Sequence, residues 1–82
     1  INKAGLKFFE SAFESLGIEY VRSHANFILA KVGNGQQTFL DLQKQGIITR
    51  PMGGYQLPEW IRISIGTSEQ NERCLNNLTE LR

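Results

Sequence analysis

The run Trp60-Ile61-Arg62-Ile63-Ser64-Ile65 alternates strictly between isoleucine and other residues, and it constrains the fold more than any other stretch. In a strand, neighbouring side chains point to opposite faces, so Ile61, Ile63 and Ile65 share one face and Trp60, Arg62 and Ser64 the other. The isoleucine face has to be covered, while the arginine face meets solvent or a partner. Just beyond, Thr67 or Ser68 caps a helix, with Glu69 near its positive end and Gln70 three residues after Thr67, as in a capping box. Just before lies a Gly/Pro-rich loop that begins at Thr49-Arg50-Pro51-Met52 and runs to Glu59, so that Arg50 and Arg62 flank it. A guanidinium is planar, stays charged and donates two parallel hydrogen bonds. Two of them beside a constrained loop suggest a pocket for a carboxylate or phosphate.

With 82 residues the chain implies one small domain, residues 1–82, near the lower end of what folds alone. A formal net charge of +1 gives no electrostatic argument for DNA, RNA or an anionic membrane surface. The lone Cys74 cannot form an internal disulfide, which fits a reducing compartment. No apolar run approaches the roughly 20 residues of a membrane span, and no signal-peptide pattern opens the chain. Ile1-Asn2-Lys3 has no initiator Met and leads straight into a helical pattern, as expected for a segment of a longer protein.

Asn2 is placed to cap a helix beginning at Lys3, in which Phe9, Ala12, Phe13 and Leu16 recur at helical spacing, with Leu6 on the adjoining face. Gly17 follows the last apolar position, where a left-handed residue stops the helix. Ile18 to Arg22 reads as a short strand, and Asn26 to Val32 as a more buried one. Gly33-Asn34-Gly35 reads as a turn, followed by a helix to Gln45 with a stripe of Phe39 and Leu42 and with Gly46 at its end. Ile47 to Arg50 reads as a strand stopped by Pro51, which has no donor for a ladder. Trp60 to Ile65 is the fourth strand. The last helix carries a stripe of Cys74, Leu75, Leu78 and Leu81.

The order helix, strand, strand, helix, strand, strand, helix predicts an α+β sandwich: a small, mostly antiparallel sheet of about four strands covered by helices on one face. The isoleucines of the fourth strand belong under the helices, and Arg62 on the other face. Trp60 beside Arg62 argues that this other face has a partner.

At Ala25-Asn26-Phe27-Ile28-Leu29, Ile48-Thr49-Arg50-Pro51-Met52 and Trp60-Ile61-Arg62-Ile63-Ser64-Ile65-Gly66-Thr67, the chain resembles the C-terminal small domain of histidinol-phosphate aminotransferases. These are pyridoxal-phosphate enzymes of the aspartate aminotransferase fold (fold type I). The resemblance covers nearly the whole chain, and its opening helix is similar to the tail of the helix joining the two domains. It implies that Arg62 anchors the substrate carboxylate and serves the phosphate of the amino alcohol substrate, and that Arg50 is a second arginine near that phosphate. Tyr55, in the loop between them, is placed to line the pocket. The resemblance further implies a parent enzyme that moves an amino group between glutamate and imidazole-acetol phosphate in histidine biosynthesis. Such an enzyme is a cytoplasmic homodimer whose large domain binds pyridoxal 5'-phosphate. The four lysines, Lys3, Lys7, Lys31 and Lys44, lack the Ser-x-x-Lys context of the cofactor lysine, so the chain is expected to be inactive alone. Threonine-phosphate decarboxylases and aromatic aminotransferases share much of this pattern.

Plainer readings stand beside these. Arg62 alone reads equally as a solvated strand arginine, and Arg50 as an edge-strand charge that discourages aggregation. Gly53-Gly54 is explained by turn geometry, His24 as a loop residue without metal-ligand partners, and Cys74 as a small buried hydrophobe. Asn26 satisfies backbone groups at a strand start. A free-standing α+β domain that binds an amino acid or phosphate is the alternative function. An RNA-binding module is disfavoured, because the sheet face lacks the basic, aromatic pattern such modules use. The face of Trp60 and Arg62 is expected to look toward the cofactor domain. Without that domain, aromatics among Phe8, Phe9 and Trp60 should be left exposed, driving association into a dimer.

Overall fold

The first helix, α1 (Lys3–Leu16), starts where Asn2 accepts a hydrogen bond from the Gly5 amide and stops at Gly17, whose φ of 72° is left-handed. There the Gly17 and Ile18 amides reach back to the Glu14 and Phe13 carbonyls, the paired bonds of a Schellman ending. The computed structural model describes residues 2–23 and 25–81. His24, expected in a loop, lies outside the described residues. After α1 come β1 (Tyr20–Arg22), β2 (Phe27–Lys31), α2 (Gly35–Lys44), β3 (Arg50–Pro51), a 3-10 turn (Gly53–Tyr55), β4 (Trp60–Ser64) and α3 (Ser68–Glu80). The strands form one sheet in the order β1-β2-β4-β3, antiparallel throughout. The expected α+β architecture with a four-stranded antiparallel sheet is what forms.

Periodicity explains the layers. Ile28 pairs with Ile63 and Ala30 with Ile61, so these four point to one face, where all are buried. Leu6, Phe9 and Phe13 of α1, Leu42 of α2, and Cys74 and Leu78 of α3 close over them. Phe9, on the apolar stripe of α1, is wholly buried, and of the three aromatics named as candidates for exposure Phe8 and Trp60 are half-buried. The exposed large apolar side chains are Val21, Leu40, Ile48, Tyr55 and Leu81. Leu81 thus departs from the stripe foreseen for the last helix, and buried Asn71 joins it instead. Asn71 fits there because its side chain both accepts from the Gly66 amide and donates to the Gly66 carbonyl. The capping box of Thr67 and Gln70 forms as the spacing requires. Asn26 accepts from the Asn2 amide through its side chain and from the Ile65 amide through its carbonyl, which ties α1 to the sheet.

Several boundaries differ from the sequence expectation, and hydrogen bonding accounts for the main ones. Ile18 and Ile47 do not open strands, because their amides are spent on the carbonyls of Phe13 and Leu42 at helix ends. Pro51 does not stop β3 but belongs to it: β3 is an edge strand, and its link to β4 runs through the Met52 amide to the Trp60 carbonyl. Bonding alternates along an antiparallel pair, so the donor that Pro51 lacks would have faced outward. Gly35 is no turn residue but the first residue of α2, with Asn34 as the cap. In that helix Thr38 and Leu42 are buried, and Phe39 only partly.

Gly35 lets α2 touch the loop before β4. Its amide donates to the Pro58 carbonyl, and an added Cβ would stand 2.4 Å from the Trp60 carbonyl oxygen. Those are backbone atoms that cannot step aside. Gly35→Ala should therefore cost about 1–3 kcal/mol, as overpacking does. Gly53→Ala, with nothing within 4 Å of its Cβ, should be neutral or slightly stabilising. Urea denaturation midpoints check both; equal midpoints for the two variants would contradict this packing.

Cys74 gives a second test, because burial pushes its thiol up to about 11. A folded pKa above the unfolded one makes its contribution complete below the unfolded value, near 9, and lost as pH rises through about 11. Stability should fall across that interval, less so in Cys74→Ala, and native Cys74 should resist alkylation until the chain unfolds. Tyr20, also shifted upward chiefly by desolvation, acts in the same sense, so the comparison with Cys74→Ala isolates the thiol.

Candidate functional site

The face of the sheet away from the helices carries the two arginines that flank the loop. Arg62 on β4 lies directly opposite Leu29 of β2 on one side and Arg50 of β3 on the other. Directly paired residues project to the same side, so strand register alone sets the two guanidinium side chains on one face, on adjacent strands. Neither arginine has a carboxylate partner among the described residues, where the ion pair formed is Arg22 to Glu10 at 3.5 Å. Like charges directly opposite repel, and no carboxylate among the described residues neutralises them.

Arg62 is half-buried, and its Nε is buried without a hydrogen-bond partner. Its terminal nitrogens make no hydrogen bond to the described residues and remain open to solvent. An unsatisfied buried donor on a charged group is costly, which marks a place where a partner from outside the described residues is needed. The guanidinium carbon sits 5.2 Å from the centre of the Phe27 ring, within cation–π range. Arg50, on the edge strand, is exposed.

Beside them runs a groove of about 390 Å³, lined by Arg50, Arg62, Met52 and Tyr55 with Phe39 and Gln43 of α2. The turn Gly53–Tyr55 builds its outer wall: the Tyr55 and Leu57 amides both donate to the Met52 carbonyl, and Gln56 takes a left-handed φ of 63°. Tyr55 thus stands on the rim, 72 % exposed. Thr49 contributes the other buried side-chain polar atom without a partner among the described residues, and it too lines the groove. A charged fork beside an apolar wall suits a small anion with a carbon skeleton. A second depression, about 290 Å³, lies by Asn71, Arg73 and Cys74. There Arg73 already donates to the Gln45 carbonyl, which leaves it less available to a ligand.

Phe27, Phe39 and Gln43 were not singled out as site residues in the sequence. Phe27 is diagonal to Arg62 only once β2 and β4 are in register, a pairing across 35 residues that no local pattern reports. For Phe39 the signal was present: a large apolar residue on a helix whose stripe is completed by Thr38 has a face to spare. The four lysines are exposed, and none lines the groove. The described residues also contain no cluster of His, Cys, Asp or Glu able to hold a metal ion. No helix among them is long and apolar enough to cross a membrane.

The chain as a whole resembles known proteins. The family profile described as "Aminotransferase class I and II" matches residues 3–78. A histidinol-phosphate aminotransferase of Akkermansia muciniphila is 52% identical over 80 residues, which is 98% of this chain and 22% of that protein. Histidinol-phosphate aminotransferase 2 of Ralstonia nicotianae is 47% identical over 79 residues, 92% of this chain and 21% of its own length. The chain therefore spans about a fifth of the length of these relatives. A crystal structure from Burkholderia pseudomallei, described as that of an aminotransferase, superposes with a TM-score of 0.84 at 36% identity, covering 95% of this chain and 24% of that one. With a family profile that covers most of its length and a sheet and helix layer of the same form, the chain belongs to the class I and II aminotransferases.

Proposed function

We propose that this chain is the substrate-recognition C-terminal domain of a pyridoxal-phosphate-dependent aminotransferase of the histidinol-phosphate type. In this reading the whole protein transfers an amino group between glutamate and imidazole-acetol phosphate in histidine biosynthesis. The observation that carries it is the pair Arg50 and Arg62, set side by side on one sheet face with no carboxylate among the described residues to neutralise them. The names of the relatives supply the substrate.

Each residue then has a task. Arg62, on a central strand, forks onto the carboxylate of glutamate or the phosphate of the amino alcohol substrate. Such a rigid mount lowers the entropy cost of holding the reacting end in position. Arg50 adds a second positive charge suited to the dianionic phosphate. Binding either anion also relieves the repulsion between the two arginines, so substrate binding and local stability are coupled.

Pyridoxal phosphate itself does not fit this chain. Its lysine must stand in a sheltered pocket, and Lys3, Lys7, Lys31 and Lys44 are all exposed and away from the groove. The large domain of the same chain holds the cofactor, and α1 is the tail of the helix leading to it. The exposed Ile48 and Tyr55 at the groove, with Trp60 on the same sheet face as the arginines, suit the approach of that domain. The whole enzyme works as a cytoplasmic homodimer. The match to a fifth of longer relatives favours this reading over a free-standing binding domain.

In the intact protein, Arg62→Ala should lower kcat/KM for glutamate and for the phosphorylated substrate at least about tenfold, or about 1.4 kcal/mol. Arg62→Lys should not restore it, because a single ammonium cannot reproduce the fork. Arg50→Ala should impair the phosphorylated substrate more than glutamate. Steady-state kinetics unchanged for both substrates in Arg62→Ala would remove that residue from the site.

A further inference from the structure

We propose that Phe27 is a positioning residue that holds the Arg62 guanidinium ready for its anion through the face of its ring. The proposal rests on the reading of Arg62 as the anion anchor and names what orients it.

An arginine without an ionic partner normally has many rotamers, and binding must then pay for freezing them. Arg62 has no hydrogen bond to fix it among the described residues, yet its Nε is buried. What lies against it is the Phe27 ring, 5.2 Å from the guanidinium carbon. The sheet dictates this contact. Phe27 pairs with Ser64 and Leu29 with Arg62, so Phe27 is the diagonal neighbour of Arg62 on the open face. A diagonal neighbour is within reach of an aromatic ring and a long side chain. The strand order β1-β2-β4-β3 puts Arg50 on the other side. Arg62 therefore stands between a cation that repels it from β3 and a ring quadrupole that attracts it from β2.

The ring also leaves the useful part of the guanidinium free. The ring face attracts the guanidinium's charge without supplying an acceptor of the kind its N–H fork gives to carboxylates and phosphates. The ring contact and anion binding are thus compatible. An acidic residue at position 27 would restrain Arg62 equally well but would compete for the same donors. A phenyl ring restrains it without competing.

The test uses the intact protein with glutamate as the amino donor. Phe27→Leu should raise KM for glutamate about three- to tenfold with kcat nearly unchanged, since orientation of the anchor acts on substrate binding. Phe27→Tyr, which keeps the ring face, should restore the wild-type value. Pentafluorophenylalanine at position 27 preserves the ring's shape but inverts its quadrupole, and it should raise KM as Phe27→Leu does; it remains informative even where the leucine variant fails to fold. A KM unaltered by the fluorinated ring, or raised equally by Phe27→Tyr, would overturn the proposal and leave Phe27 a packing residue. Arg62→Ala serves as the separate control. If it leaves KM unchanged, the anchor reading itself fails; if it raises KM while all Phe27 variants match wild type, only the positioning role fails.

Discussion

The register of β2 against β4 is the constraint on which both core and site depend. It sets Ile28 against Ile63 and Ala30 against Ile61 beneath the helices, and in the same stroke sets Leu29 against Arg62 on the open face. Slipping the pairing by one residue would exchange the faces, driving Arg62 under the helices and the isoleucines out. An unpaired guanidinium in that apolar core would face a desolvation penalty of several kcal/mol. The hydrophobic pattern that builds the core therefore also aims the arginine. β3 extends this outward by a pairing of only two residues, which brings Arg50 alongside.

The open face runs against the rules that the rest of the molecule obeys. Helix ends are capped by Asn2, Asn34 and Thr67, and the buried Asn71 side chain is satisfied by the Gly66 backbone. Beside the groove, two cations sit opposite each other, Arg62 Nε lacks a partner among the described residues, and large apolar groups stand exposed. Local conflict of this kind in an otherwise consistent fold is characteristic of a surface built for something else to complete. Substrate and the remainder of a longer chain are the two candidates, and in our proposal they act together.

Much of this was legible in the residues because its causes are local. The alternation through Arg62 fixed the two faces of β4, Asn2 and Thr67 announced their helices, and Gly17 and Gly46 ended two of them. What escaped depends on contacts between distant segments. The amides of Ile18 and Ile47 look like strand material until the helix carbonyls that claim them are in place. Pro51 looks like a terminator unless β3 is known to be an edge. One helical position separates the wholly buried ring of Phe9, on the stripe of α1, from the half-buried ring of Phe8 beside it. Of the candidate site, both arginines stand out by residue type and by the loop they flank, but the roles proposed for them come from the family resemblance. Their adjacency, and the ring beside Arg62, emerged only from strand pairing.

The central claim is that Arg62 and Arg50 have no ionic partner among the described residues because their partner is the substrate. A crystal structure of the intact protein with glutamate, and one with a phosphorylated amino alcohol, tests it most directly. The account predicts the Arg62 fork on the carboxylate in the first, and both arginines at the phosphate in the second, with the Phe27 ring still against the guanidinium. Arg62 paired instead with an aspartate or glutamate from elsewhere in the protein, and substrate bound away from it, would contradict the account.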